Sequence, residues 1–93
     1  MVDLKAGDYV AHFKRDLLPI EERQNSMKFL YMVVDIATDV EDGKDVVVYR
    51  ALYPDAEGKF KMFVRSMKEF YDSVDKGKYP EAKQERRFQI ITM

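Results

Sequence analysis

Hydrophobic and polar residues alternate in short segments along most of the chain, which is the pattern of β-strands with one buried face. The longest such segment is KFLYMVVDIAT, residues 28–38. Its more apolar alternate set, which we expect to face the core, is Leu30, Met32, Val34 and Ile36. Residues 45–54, DVVVYRALYP, carry apolar residues on both faces and predict a central strand. DYVAHFK, FKMFVRS and RFQIIT predict three more strands.

Turn residues separate these strands. In VEDGKD, the Asp42-Gly43 pair suits a type I′ hairpin turn, whose two central residues both need positive φ. Pro54 and Gly58 predict a second reversal before FKMFVRS. The three longest strands are therefore expected to form a meander.

Residues 66–80, SMKEFYDSVDKGKYP, contain the clearest helical pattern. Ser66 and Glu69 have the spacing of a capping box, and Gly77 is placed to end the helix in a left-handed conformation. Four apolar residues recur at helical spacing and predict a stripe that closes one open end of a barrel: Met67, Phe70, Tyr71 and Val74. A weaker helical turn is predicted to begin at Pro19.

Five antiparallel strands with one short helix before the last predict a mainly β fold. We interpret it as a partly open, five-stranded SH3-like barrel, because closure protects strand edges that an open sheet would expose. The alternative is an α+β sheet with the helix packed across one face. A length of 93 residues supports one domain, spanning residues 1–93, and leaves too little chain for two cores.

Composition narrows the classes of function. The chain has no cysteine, which excludes disulfides, thiolate metal sites and thiol catalysis. It has no apolar run long enough to span a membrane and no apolar segment near the N-terminus, so we expect a cytoplasmic protein without membrane contact. Since 16 basic residues are balanced by 17 acidic ones, nucleic-acid binding would have to depend on a local basic patch.

Several segments together resemble a family of small bacterial proteins catalogued as a domain of unknown function, number sixteen fifty-three. They are HFKR (12–15), FLYMVVDIA (29–37), VVVYRALY (46–53), VR (64–65) and SVDKGKYPEAKQERRF (73–88). The resemblance implies a fold and no mechanism, since members of that family have no established activity. The chain departs from the family in DVEDG (39–43), where relatives carry a second histidine, and at Ser66, where they carry proline.

Arg50 stands among apolar neighbours in DVVVYRALYP and is the most unusual residue of the predicted strands. One interpretation is that its methylene stem covers the edge of the core while its guanidinium reaches water or an acid such as Asp35 or Glu69. The other is that it belongs to a ligand site. Aromatic rings beside cationic groups can hold a base or a peptide, and the candidates are His12, Tyr31, Tyr49, Arg50, Tyr53 and Arg65.

Two hypotheses of function follow. In the first, the protein is a noncatalytic binding module that recognises a peptide or protein through a barrel face, which requires Tyr49, Tyr53 and Arg65 to lie exposed together. In the second, the same aromatics bind a nucleotide or single-stranded nucleic acid with help from a basic edge. That edge would form if the terminal strands are neighbours, and its candidate residues are Lys14, Arg15, Arg86 and Arg87.

Catalysis is poorly supported by the sequence. His12 is the sole histidine, and no serine has the setting of a nucleophile. The three acids of VEDGKD lack the spacing of a calcium loop, so no metal and no cofactor is expected. The protein could act as a monomer, or as a homodimer through an exposed edge such as DYVAHFK.

Overall fold

The computed structural model describes residues 3–93, which form one five-stranded antiparallel sheet. Its strands are β1 (Tyr9–His12), β2 (Leu30–Thr38), β3 (Asp45–Ala51), β4 (Met62–Ser66) and β5 (Phe88–Ile91). Their order in the sheet is β4-β3-β2-β1-β5, so β3 is interior and β4 and β5 are the edges. A 3-10 turn (Phe13–Leu17) and the helix α1 (Ile20–Asn25) follow β1, and the single-turn helix α2 (Met67–Phe70) follows β4. The prediction of a mainly β fold with a short helix before the last strand is confirmed, and the sheet is open.

The inner face of β2 is different from the predicted one. Tyr31 and Val33 belong to the buried core, while Met32 and Val34 are half-buried. The pairing with β3 shifts between Val33 and Asp35, which marks a β-bulge. Because an extra residue reverses which side chains point inward, Ile36 packs against the core after the bulge. The alternation therefore predicted Leu30, which is buried, and Ile36 correctly, and Met32 and Val34 wrongly.

The β2–β3 hairpin is also not the predicted type I′ turn. Gly43 has a φ of 69°, whereas Asp42 is not among the residues with positive φ. The loop is instead stabilised by side-chain caps: Asp39 Oδ1 accepts the Glu41 N–H, and Asp42 Oδ1 accepts the Lys44 N–H. The aspartate side chains accept hydrogen bonds from backbone N–H groups of the turn, and only the glycine supplies the left-handed conformation.

The helix α2 is much shorter than the predicted one. Its N-cap is as expected, because Ser66 Oγ accepts the Glu69 N–H at 3.1 Å. Beyond Tyr71, however, the chain becomes extended and pairs with the segment before β5: the Arg87 N–H donates to the Asp72 carbonyl, and the Val74 N–H donates to the Glu85 carbonyl. These long-range hydrogen bonds replace helical ones, so the prediction of a helix ending at Gly77 is wrong.

An aromatic cluster occupies the inside of the curled sheet. Phe70 of α2 stacks on Phe88 of β5 with ring centroids 4.1 Å apart, and Tyr49 of β3 meets Phe88 edge-on at 5.2 Å. In a flat sheet β3 and β5 would be about 14 Å apart, three strand spacings. Contact between their side chains therefore reflects a strongly curled sheet whose two edges approach each other. Of the predicted apolar stripe, Phe70 is completely buried and Met67 and Tyr71 pack against the same cluster, whereas Val74 belongs to a second cluster with Phe13 and Ala82.

We expect Phe70→Ala to lower the free energy of unfolding by about 3–5 kcal/mol, because it empties the centre of the aromatic cluster. Urea denaturation of the purified protein measures the loss. Phe60→Ala is the matched control, since that ring is 53% exposed and its loss should change stability by only about 0.5 kcal/mol. Phe70→Leu keeps most of the side-chain volume, so its loss in the free energy of unfolding should lie between those of the other two variants. Equal losses for Phe70→Ala and Phe60→Ala would contradict the packing.

Candidate functional site

An open cleft lies at the mouth of the curled sheet, and we call it the mouth cleft. It has an aromatic lobe of about 170 Å³ to which all five strands contribute, lined by His12, Lys14, Phe29, Tyr31, Tyr49, Phe63, Arg65 and Phe88. It continues into a basic lobe of about 410 Å³ that shares three of these residues and adds Phe13, Ser73, Val74, Asp75, Lys78, Tyr79 and Arg87. The curl of the sheet positions both lobes, because it brings β4 and β5 to opposite sides of one opening.

The cleft is cationic although the whole chain is not. Of the described residues that line it, one is an acid, Asp75, and four are cations: Lys14, Arg65, Lys78 and Arg87. Asp75 is turned toward its own loop, where Oδ1 accepts the N–H groups of Gly77 and Lys78. The chain as a whole has a formal charge of −1. The mouth cleft is therefore a local concentration of positive charge.

Two acids outside the cleft neutralise the arginines only in part. Arg65 lies 3.9 Å from Glu69, and Arg87 lies 3.9 Å from Asp72. Both distances are long for an ion pair, and both carboxylates are substantially exposed. Exposed pairs of this kind contribute at most about 1 kcal/mol. Arg87 Nη1 also donates to the Glu69 carbonyl and Arg65 Nε to the Tyr49 hydroxyl, so an anionic ligand would bind the remaining N–H groups of the two guanidiniums.

His12 lies where the two lobes meet. Its Nδ1 accepts the Lys14 N–H at 3.1 Å, and its ring stacks on Phe13 and meets the edge of Phe88. Burial lowers the pKa of His12 from 6.5 to about 4, with further lowering by the charges of Lys14, Arg65 and Arg87. The imidazole is thus neutral at physiological pH. Since Nδ1 is the acceptor, Nε2 carries the proton and is a hydrogen-bond donor.

Phe29 forms part of the cleft wall with a strained backbone. Its φ is 66°, a left-handed conformation that bulky residues rarely adopt. The Phe29 carbonyl accepts the His12 N–H at 2.9 Å, and the ring lies 6.0 Å from the His12 ring. Backbone strain of this kind costs about 1–3 kcal/mol and is concentrated at functional sites. It adds a reason to consider the cleft functional.

The tyrosines of the cleft are buried, contrary to the sequence-based expectation. Tyr31 is 7% exposed and Tyr49 is 3% exposed. Their hydroxyls are used inside the protein: the Arg65 Nε–H donates to the Tyr49 hydroxyl, and the Tyr31 and Tyr53 hydroxyls are 2.8 Å apart. Burial and the bond to Tyr53 raise the pKa of Tyr31. The prediction that Tyr49 lies exposed beside Tyr53 and Arg65 is wrong, because the curled sheet turns its inner face away from solvent. The tyrosine stacking face on which both hypotheses of function depended is therefore contradicted for Tyr31 and Tyr49.

The mouth cleft is lined by some residues of the predicted ligand site and some of the predicted basic edge. From the ligand-site set it contains His12, Tyr31, Tyr49 and Arg65, and from the basic-edge set it contains Lys14 and Arg87. The terminal strands are indeed neighbours, since β1 pairs with β5. Phe88 was missed, although pairing the terminal strands would have placed it opposite His12. Phe29 has no comparable signal in the sequence, whereas Lys78 lies in the basic segment KGKYPEAKQERR (76–87) that also carries Arg86 and Arg87.

The other predicted residues lie elsewhere. Arg15 donates from its guanidinium to the carbonyls of Lys28, Arg23 and Ser26, which holds the end of α1. Arg86 donates to the Tyr71 carbonyl and to Ser73 Oγ. Tyr53 packs against Phe29 and lines a separate hollow beside α1. These side chains have structural partners.

Arg50 points away from the mouth cleft. It is exposed on the outer face of β3, where its cross-strand neighbours are Met32 and Met62. Within residues 3–93 it forms no ion pair, and the suggested partner Glu69 lies beside Arg65 instead. Of the two interpretations of Arg50, the geometry agrees with the exposed side chain that covers apolar neighbours with its stem.

Other types of site find no support in the part of the chain that the structure describes. No three His, Asp or Glu side chains converge there closely enough to hold a metal ion. Helices long and apolar enough to cross a membrane are likewise not found there.

We expect the imidazole of His12 to titrate with a midpoint near 4. Above pH 6.5 it is neutral in the folded and the unfolded chain; between 6.5 and 4 only the unfolded chain gains a proton, so stability falls as the pH is lowered. The proton NMR signals of this sole histidine report the midpoint directly. His12→Gln should reduce the loss of stability over the same interval. A midpoint near 6.5 would contradict the burial of the ring among cations.

Comparison with known proteins adds a family. Residues 8–90 match the family described as "Protein of unknown function (DUF1653)". No curated protein and no solved structure matches the chain, so the SH3-like assignment stays a prediction. The matched segment covers nearly the whole chain and contains every residue that lines the mouth cleft. The chain therefore belongs to the DUF1653 family of proteins of unknown function.

Proposed function

We propose that this protein is a noncatalytic binding module whose mouth cleft receives an anionic group, a carboxylate, from a peptide or protein partner. The observation that carries the proposal is the convergence of four cations around one opening with aromatic walls. Charge-assisted hydrogen bonds from guanidinium groups to carboxylates are among the strongest in proteins. The neutral His12 adds an Nε2–H donor at the junction of the lobes.

The aromatic lobe by itself has room for a small group only, whereas the basic lobe, at about 410 Å³, could hold a larger one. The volume of the aromatic lobe, about 170 Å³, is below the range of roughly 300–1,000 Å³ that is usual for pockets that enclose whole small molecules. A terminal carboxylate or an acidic side chain fits such a lobe, while the rest of the partner would lie over the basic lobe and the rim.

The environment of His12 argues for binding and against catalysis. A general base works best with a pKa near the operating pH, whereas burial, together with the surrounding cations, holds the pKa of His12 at about 4. Its Nδ1 is also occupied by the Lys14 N–H. Ser73, the serine of the basic lobe, accepts a hydrogen bond from Arg86, and among the described residues its hydroxyl donates to no base.

A nucleotide is the second candidate, and the ring of Phe63 favours it. Phe63 is 38% exposed at the rim and lies on β4 two residues from Arg65. A base stacked on this ring would place its phosphate among the cations of the cleft. An extended single strand of nucleic acid is less well supported, because the tyrosine faces are buried and Arg15 and Arg86 bind backbone carbonyls.

We expect a short peptide with a free C-terminal carboxylate to shift the amide NMR signals around His12, Lys14 and Arg65, and its C-terminal amide to shift them much less. Bound carboxylate should also raise the pKa of His12 above 4, because a nearby negative charge favours the imidazolium. The titration uses the peptide pair, adenosine monophosphate and inorganic phosphate at low and moderate salt. A stronger response to the nucleotide than to the peptide at the same residues would favour the second candidate.

Arg65→Gln should weaken binding by about tenfold or more, since it removes a charge-assisted hydrogen bond. Arg50→Gln is the matched control, because it removes the same charge from the outer face of the sheet. Isothermal titration calorimetry of both variants gives the dissociation constant of each relative to that of the wild-type chain. Each variant is first checked for an unchanged midpoint of unfolding. Equal weakening by the two substitutions would contradict a site in the mouth cleft and indicate nonspecific charge attraction.

A further inference from the structure

The strand β4 is an edge of the sheet with free backbone groups. The Ala51 N–H donates to the Lys61 carbonyl at 2.9 Å, which fixes the alternation of the β3–β4 ladder. In an antiparallel pair every second residue is hydrogen-bonded to the neighbour. Phe63 and Arg65 therefore point their backbone groups toward β3, and Met62 and Val64 point theirs outward. Within residues 3–93 these outward groups have no hydrogen-bond partner.

The side chains of this edge are unusually apolar for a free strand. Val64 is 66% exposed and Met62 is 48% exposed. Protein sheets normally protect such edges with charges, prolines or a covering segment, because an apolar edge pairs with other chains. The second edge, β5, differs: its Ile90 is half-buried and packs against the core. β1, whose segment DYVAHFK was expected to be a free edge, is interior.

We propose that β4 pairs antiparallel with β4 of a second copy of this chain, about a two-fold axis at Val64. The two Val64 residues then face each other and exchange two hydrogen bonds, and Met62 of each copy lies opposite Ser66 of the other. The five strands of each copy join into one continuous sheet. The apolar side chains that β4 exposes become neighbours across the two-fold axis.

The charges on the strand select this register. With Val64 at the axis, Arg65 of each copy lies opposite Phe63 of the other, where the cation can interact with the ring. Moving the axis to Phe63 would place Arg65 opposite Lys61. Moving it to Arg65 would place the two arginines opposite each other. Like charges directly opposite destabilise a strand pair, and an axis at Met62 would leave most of β4 unpaired. Val64, the midpoint of Met62–Ser66, pairs all five residues and is the favoured centre.

Sedimentation velocity over a wide concentration range tests the pairing. We expect the wild-type chain to dimerise reversibly, and Val64→Lys to raise the dissociation constant at least tenfold because it places two ammonium groups at the axis. Val40→Lys is the matched control, since Val40 is 97% exposed in the β2–β3 loop. An equimolar mixture of Val64→Lys and Val64→Glu should regain the dimer through opposite charges. A wild-type chain that stays monomeric at high concentration would overturn the proposal.

A cysteine at the axis tests the register itself. The chain has no cysteine, so Val64→Cys introduces a single thiol. Directly paired residues of this type have Cα atoms about 5.5 Å apart, within the range for a disulfide. Mild oxidation should cross-link Val64→Cys much faster than Val40→Cys. Equal rates, a dimer that Val64→Lys leaves intact, or a β4 edge that binds added peptide while the chain stays monomeric would each contradict self-pairing.

Discussion

The stacking of Phe70 on Phe88, with Tyr49 against the same ring, is the interaction on which the rest of the structure depends. It joins α2 to β5 and β3, two strands that lie three places apart in the sheet. The rings can meet only if the sheet curls, and the curl brings the two edge strands toward each other. A chain of this length has limited surface to bury, so aromatic rings with large apolar area are an effective way to fill a small core.

The same curl creates the chemistry of the mouth cleft. Arg65 lies over the ring of Phe88, 6.0 Å from its centroid, so a cation of β4 is held against a ring of β5. Arg87 and Lys14 approach from the other side of the opening. His12 stays neutral because burial of its ring, and after it the nearby charges, lower its pKa. A chain with nearly equal numbers of basic and acidic residues thus acquires a positive concave surface, because the fold groups several of its cations around one opening.

The mouth cleft and the β4 edge share one strand but offer different contacts. Phe63 and Arg65 point their side chains to the inner face, where they line the cleft. Met62 and Val64 carry side chains on the outer face and free backbone groups at the edge. Because alternation along a strand separates the two faces, a bound anion and a paired strand can occupy β4 together. Phe63 and Arg65 take part in both proposals, whereas Val64 lines neither lobe of the cleft, so substitutions of Val64 test the pairing separately.

The sequence by itself determined the number of strands and their order along the chain, because period-two alternation and glycine turns are local properties. It also gave the cap at Ser66 and the interior position of β3. Tertiary structure decided which face each strand buries, since the bulge after Val33 reverses the alternation. It also stopped α2 at Phe70, where long-range pairing of residues 72–74 with 85–87 replaced helical hydrogen bonds. The grouping of Arg65 with His12, Lys14 and Arg87, away from Arg50, depends on the curl, which arises from packing between residues distant in sequence.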